Sequence, residues 1–171
     1  MITVEPPHPS DTPGFALSKP VLTRFLNRAR TAVGLEGDVD VLLADDVTLR
    51  RLNRVYRGKN KSTDVLSFPA AAEGNEGGIA GDLAISLDTA AKQALEHGHS
   101  LSDEVRILML HGALHLAGYD HETDEGEMAA REAELRRKLR LPVGLIARAN
   151  GTGSSKAKKA ARKTRPRKVG R

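Results

Sequence analysis

The chain has no cysteine and no tryptophan, and aromatic residues make up only 3% of its 171 positions. Without thiols there is neither a disulfide nor a thiolate ligand, so any metal must be held by His, Asp or Glu. A core this poor in rings has to be filled by Leu, Val, Ile and Ala. No stretch approaches the ~18 consecutive apolar residues of a membrane span. The start, Met1-Ile2-Thr3-Val4-Glu5-Pro6, has neither the basic head nor the apolar run of a signal peptide. We therefore expect a soluble, cytoplasmic protein with no membrane partner. At this length one domain with a proper core is expected, not two.

Acid is missing from one end. From Gly151 to Arg171 nine residues are Lys or Arg and none is Asp or Glu. The net charge of +5 thus averages two unlike parts, because positions 1–150 hold 18 basic and 22 acidic residues. The organisation read from this is a mildly acidic domain over 1–149 and a basic tail over 150–171. The tail has almost nothing to bury and is expected to be disordered.

Within the domain the period of the apolar residues alternates between strand and helix. Ile2 to Val4 suits a short strand, and Pro6, Pro7, Pro9 and Pro13 then make a loop in which no helix can persist. Leu22, Phe25, Leu26, Ala29 and Val33 recur at helical spacing behind a possible Ser18 cap. Asp38 to Ala44 reads as a strand, and Asp45 or Asp46 as the cap of a helix with Leu49, Leu52 and Tyr56 on its apolar face. A basic loop, Arg57 to Thr63, leads into a strand over 64–68 that Pro69 stops. Positions 70–78 suit a mobile surface loop. A strand over 81–86 follows, then a helix capped by Asp88. Ser100 or Ser102 caps the next helix, which is apolar nearly all round from Val105 to Leu110 and should be the most buried. A last helix should start at Thr123 or Asp124 and present Met128, Leu135 and Leu139. The order implies an α+β fold: a small mixed β-sheet packed against several α-helices, with a central buried helix.

That central helix carries the chemistry. Its sequence runs Leu110-His111-Gly112-Ala113-Leu114-His115-Leu116-Ala117-Gly118-Tyr119-Asp120-His121, so three of the chain's six histidines fall within eleven residues. His111 and His115 are four apart and stack on one helix face. Gly118 is free to turn left-handed and end the helix, so His121 can return to the same point. Three converging imidazoles suggest one metal ion per chain, open on one side; zinc suits them, though nickel, cobalt and iron accept them too. Asp120 is either a fourth ligand or a carboxylate that orients a histidine from behind. The competing reading is a buried helix whose histidines bond locally. The same spacing occurs in metzincin proteases, but those place a Glu base directly after the first His, where this chain has Gly112. Of the other histidines, His97 and His99 suit exposure or capping, and His8 lies in the proline loop.

The histidine segment, read as His111-Gly112-x-Leu114-His115-Leu116-x-Gly118-Tyr119-Asp120-His121, resembles the signature of the YbeY-type endoribonucleases, bacterial rRNA maturation factors. Two more stretches match: Tyr56-Arg57-Gly58-Lys59-x-Lys61-x-Thr63-Asp64-Val65-Leu66-Ser67-Phe68-Pro69, and Gly81-Asp82-Leu83-Ala84-Ile85-Ser86. The resemblance covers most of positions 38–140. It implies a zinc-dependent endoribonuclease specific for single-stranded RNA, acting on rRNA precursors, including the 3′ end of small-subunit rRNA, and in ribosome quality control. The ribosome or factors bound to it would then be partners. It also implies His111, His115 and His121 as zinc ligands, with His111 and Arg57 counted as catalytic.

The residue types fit that chemistry. Arg57 offers a planar fork of donors to a phosphate. Lys59 and Lys61 either track the RNA backbone or simply solvate their loop. The tail lies outside the family pattern, and is either a solubilising extension or a flexible arm that concentrates RNA. Two rival classes remain open: a hydrolase of another kind using the same metal site, and a non-catalytic RNA-binding assembly factor.

Overall fold

The computed structural model describes residues 1–5, 17–71 and 78–142. The expectations for the proline loop, most of the 70–78 loop and the basic tail lie outside the described residues.

The elements follow in the order β1 (Ile2–Val4), α1 (Lys19–Val33), β2 (Asp38–Ala44), α2 (Asp46–Arg57), β3 (Val65–Pro69), β4 (Ile79–Ser86), α3 (Leu87–His97), α4 (Leu101–Leu116) and α5 (Glu127–Leu139). The strands form one mixed sheet in the order β1-β2-β4-β3. β1, β2 and β4 run parallel, and β3 closes one edge antiparallel to β4. This is the α+β architecture expected. Among the described residues no helix is long and apolar enough to cross a membrane.

Alternation along β2 divides the core in two. Val39, Val41 and Leu43 point to one face, where they meet Leu83, Ile85 and the apolar sides of α1, α4 and α5. Leu42 and Ala44 point to the other, where Leu66, Phe68 and Ala84 meet Leu49 and Leu52 of α2. The sheet therefore separates α2 from the large core. Within that core, α4 is buried from Val105 to Leu114 with Arg106 alone partly exposed.

Five local expectations need correction. Tyr56 is 66% exposed and does not join the apolar face of α2; its ring leans edge-on against Phe68, 5.1 Å between centroids. Strand β4 begins two residues before Gly81 and its last residue, Ser86, caps α3 by accepting from the Thr89 amide. Asp88 sits inside the first turn instead, accepting from the Asp46 amide across to α2. The last helix begins at Glu127, later than expected, because Gly126 has a φ of 109° that no helix tolerates. Asp124 still contributes, accepting from the amides of Gly126 and Met128. Finally, His99 is paired with the buried Glu104 at the start of α4, where exposure or capping was expected.

Candidate metal centre

Two contacts between α4 and the sheet decide which way its histidines face. A Cβ on Gly112 would stand 2.6 Å from Leu83 Cδ2, and one on Gly81 would meet the Phe68 carbonyl and lie 2.8 Å from Leu116 Cδ2. At Gly112 the helix backbone presses on the Leu83 side chain, so a side chain there would have to displace Leu83 from the buried sheet face. The Ser67 hydroxyl adds a hydrogen bond to the Gly112 carbonyl at 3.3 Å. Gly112 thus has a packing reason for lacking a side chain, and a glutamate base there has no room.

The imidazoles lie away from that contact. His111 is buried, His115 half-buried and His121 exposed, which grades the site from interior to solvent. One nitrogen from each ring falls within 4.8 Å of the other two, so the three residues can hold a metal. Ring centroids are 4.8, 5.3 and 5.2 Å apart. His111 Nε2 and His115 Nε2 are separated by 3.2 Å. Two nitrogens bound tetrahedrally to one zinc would be about 3.3 Å apart. The spacing and the donor set both fit such an ion. Gly118, with φ at 92°, makes the turn that brings His121 back.

Electrostatics keep the site ready for a cation. Burial, with His111 and His121 alongside, pushes the His115 imidazole down to about 4, so at pH 7 it is neutral, the form that can ligate a metal. Asp120 shapes the turn beneath: its carboxylate accepts from the Glu122 amide and the Thr123 hydroxyl, which hold its pKa below the usual carboxylate range.

A residue not foreseen from the sequence completes the site. Glu132, on α5 and 1% exposed, places Oε2 3.0 Å from His111 Nδ1. With Nδ1–H donated there, the lone pair of His111 is on Nε2, the nitrogen facing His115. Arg136 Nη1 approaches the other carboxylate oxygen at 3.4 Å. The only sequence signal was an acid and a base one helical turn apart on the face shared with Met128, Leu135 and Leu139, where charges are not expected.

The remaining candidates lie elsewhere. Arg57 ends α2, and Lys59 and Lys61 follow in the loop, all exposed. No described contact joins them to the imidazoles. They nevertheless reach the same end of the sheet: Tyr56 touches Phe68 on one face, while Leu116 of α4 lies close to Gly81, which pairs with Pro69 next to Phe68.

The family model for endoribonuclease YbeY matches residues 16–140. The chain belongs to the YbeY family. Among its relatives, the endoribonuclease YbeY of Koribacter versatilis is 54% identical over 147 residues, covering 86% of this chain and 91% of that one. That of Aquifex aeolicus is 47% identical over 118 residues, covering 68% and 79%. The solution structure of TM1509 from Thermotoga maritima is similar in fold, with a TM-score of 0.51 at 24% identity over 94% of this chain and 100% of that one. The YbeY match ends at 140, before the basic tail begins.

Proposed function

We propose that the chain is a zinc-dependent endoribonuclease that cuts single-stranded RNA in the cytoplasm. Its substrates on this reading are rRNA precursors, including the 3′ end of small-subunit rRNA, with a part in ribosome quality control beside the ribosome or its associated factors. The observation that carries the reading is the graded triad of His111, His115 and His121 in a chain of this family.

His111, His115 and His121 hold the ion, and Glu132 sets the His111 tautomer so that Nε2 is the donor. When bound, zinc supplies Lewis acidity toward the scissile phosphate. His121, on the exposed side, leaves room for the substrate to approach. Arg57 donates its guanidinium fork to non-bridging phosphate oxygens, and holds the phosphodiester while negative charge builds in the transition state. Asp120 braces the turn that carries His121. The rival classes have less support, since Gly112 leaves no place for a protease base and a fully enclosed structural ion would not leave one ligand exposed.

The test pairs elemental analysis with cleavage of single-stranded and duplex RNA, with and without chelator. About one zinc per chain, with cutting of the single strand that chelator abolishes, is expected for the wild type. His115→Ala should lose both metal and cleavage. Full zinc occupancy in that variant, or chelator-resistant cleavage by the wild type, defeats the assignment.

A further inference from the structure

We infer that α2 and the loop after it form a preformed ridge for the phosphodiester backbone of RNA, in which Arg51 and Arg54 extend the cations beyond Arg57, Lys59 and Lys61. The inference rests on the ribonuclease reading above and adds where the strand lies.

Charge is the first observation. Six cations, Arg50, Arg51, Arg54, Arg57, Lys59 and Lys61, fall between Asp45 and Thr63 against two acids. The rest of positions 1–150 holds twelve basic residues against twenty acidic ones. All six cations are exposed, and none forms an ion pair among the described residues. The two acids are engaged elsewhere: Asp45 caps α2, and Asp46 accepts from the hydroxyls of Ser62, Ser86 and Thr89. Arg50 and Arg54, Arg51 and Arg54, and Arg54 and Arg57 are like charges one turn apart, an unfavourable spacing for a helix surface. A bound polyanion turns that repulsion into attraction.

The second observation is that the loop is pinned. Gly58, with φ at 67°, reverses the chain, which then runs back along α2. Asp46, Arg50 and Asn53 lie at i, i+4 and i+7 on one face of the helix. Asp46 accepts from Ser62 Oγ at 2.9 Å, Arg50 Nε donates to Asn60 Oδ1 at 3.0 Å, and Asn53 Nδ2 donates to the Lys61 carbonyl at 2.8 Å. Lys59 and Lys61 are therefore held beside the helix before any ligand arrives, which lowers the ordering cost of binding.

The third is position. From Arg51 to Arg57 the cations span about 9 Å of helix, and the row ends where α2 and α4 reach the same end of the sheet. There Tyr56 exposes its ring next to Arg57 and offers a face for an unstacked base. A strand lying on the ridge leads toward the imidazoles.

The experiment uses the full zinc-loaded chain and a single-stranded RNA with 2′-O-methyl riboses, which binds without being cut. Affinity is titrated at several salt concentrations, with zinc content as a control. Arg51→Glu/Arg54→Glu should weaken binding at least tenfold and reduce the log–log salt slope by about 1.4, two phosphate contacts at roughly 0.7 each. Asn53→Ala and Ser62→Ala keep every cation, so affinity should fall while the slope stays. Wild-type affinity and slope in the charge-reversed variant overturn the ridge. So does a variant that loses only binding to phosphatidylserine vesicles, which would make the surface a membrane contact. A wild type that neither binds nor cuts RNA refutes the ribonuclease reading itself, whereas a cutting wild type with an indifferent variant refutes the ridge alone.

Discussion

Replacing Glu132 with Leu removes the acceptor behind His111 and puts an apolar side chain of similar size in its place. The buried His111 Nδ1 then loses a partner at 3.0 Å, and the ring is free to rotate or change tautomer. Losing a carboxylate behind a ligating histidine typically costs 10–100-fold in metal affinity, or about 1.4–2.7 kcal/mol. A second cost is separable. Arg136, 2% exposed, loses the carboxylate 3.4 Å from Nη1, and breaking a buried pair from one side costs about 3–5 kcal/mol of stability. Glu132→Leu/Arg136→Met replaces both charges and should recover most of the stability, because a buried pair exchanged for apolar residues is often neutral. It should not recover metal affinity, since His111 still lacks its acceptor. Zinc affinity is measured by competition with a chromophoric chelator, and stability by urea denaturation of the metal-free proteins. Wild-type zinc affinity in the double variant would refute the idea that Glu132 orients His111.

Three further outcomes follow from the same geometry. Gly112→Ala forces a methyl 2.6 Å from Leu83 Cδ2 and should destabilise the protein by about 1–3 kcal/mol, read as a lower urea midpoint; an unchanged midpoint would mean that α4 is not pressed on the sheet there. Arg57→Lys should lower the cleavage rate and leave zinc content intact, since it is assigned to the phosphate and not the ion; loss of zinc, or full turnover, would remove Arg57 from that role. In metal-free protein His115 takes up its proton only near pH 4, whereas the unfolded chain does so near 6.5. The unfolded state therefore binds more protons between these values, and stability present above pH 6.5 is lost as the pH falls toward 4. Screening of a half-buried ring limits the loss to about 1–2 kcal/mol. Urea midpoints of chelator-treated wild type and His115→Gln at pH 7 and 4.5 check the sign; equal pH dependence in the two would contradict it.

Much of the architecture follows from short-range pattern, because a helix or strand is a local repeat. The alternation of Asp38 to Ala44, the spacing of Leu22 to Val33 and the apolar run before His111 each specify an element without reference to the rest. The i, i+4 pair His111 and His115 is of the same kind: helical geometry alone puts the two rings on one face. Gly118 was legible because only a turn residue could bring His121 back. Element boundaries were read less well. Tyr56 fits the period of an apolar face, but in the fold it borders an open groove with Leu42, Leu52 and Phe68 and stays exposed, and propensity says nothing of that.

What tertiary structure alone decided is everything that joins distant parts of the chain. Strand order and the placing of α2 opposite the other helices depend on which faces bury the most apolar surface together, and alternation does not say which neighbour supplies it. Gly112 looks from sequence like a missing base; against Leu83 it is a helix pressed onto a sheet. Glu132 is 21 residues from His111, on another helix, and reads as one acid among many until packing removes it from water and sets it beside His111 and Arg136. The sequence therefore determined which imidazoles can hold a metal and the helix that presents two of them. Only the fold could supply the carboxylate behind them, because a buried charge finds its partner in space and not along the chain.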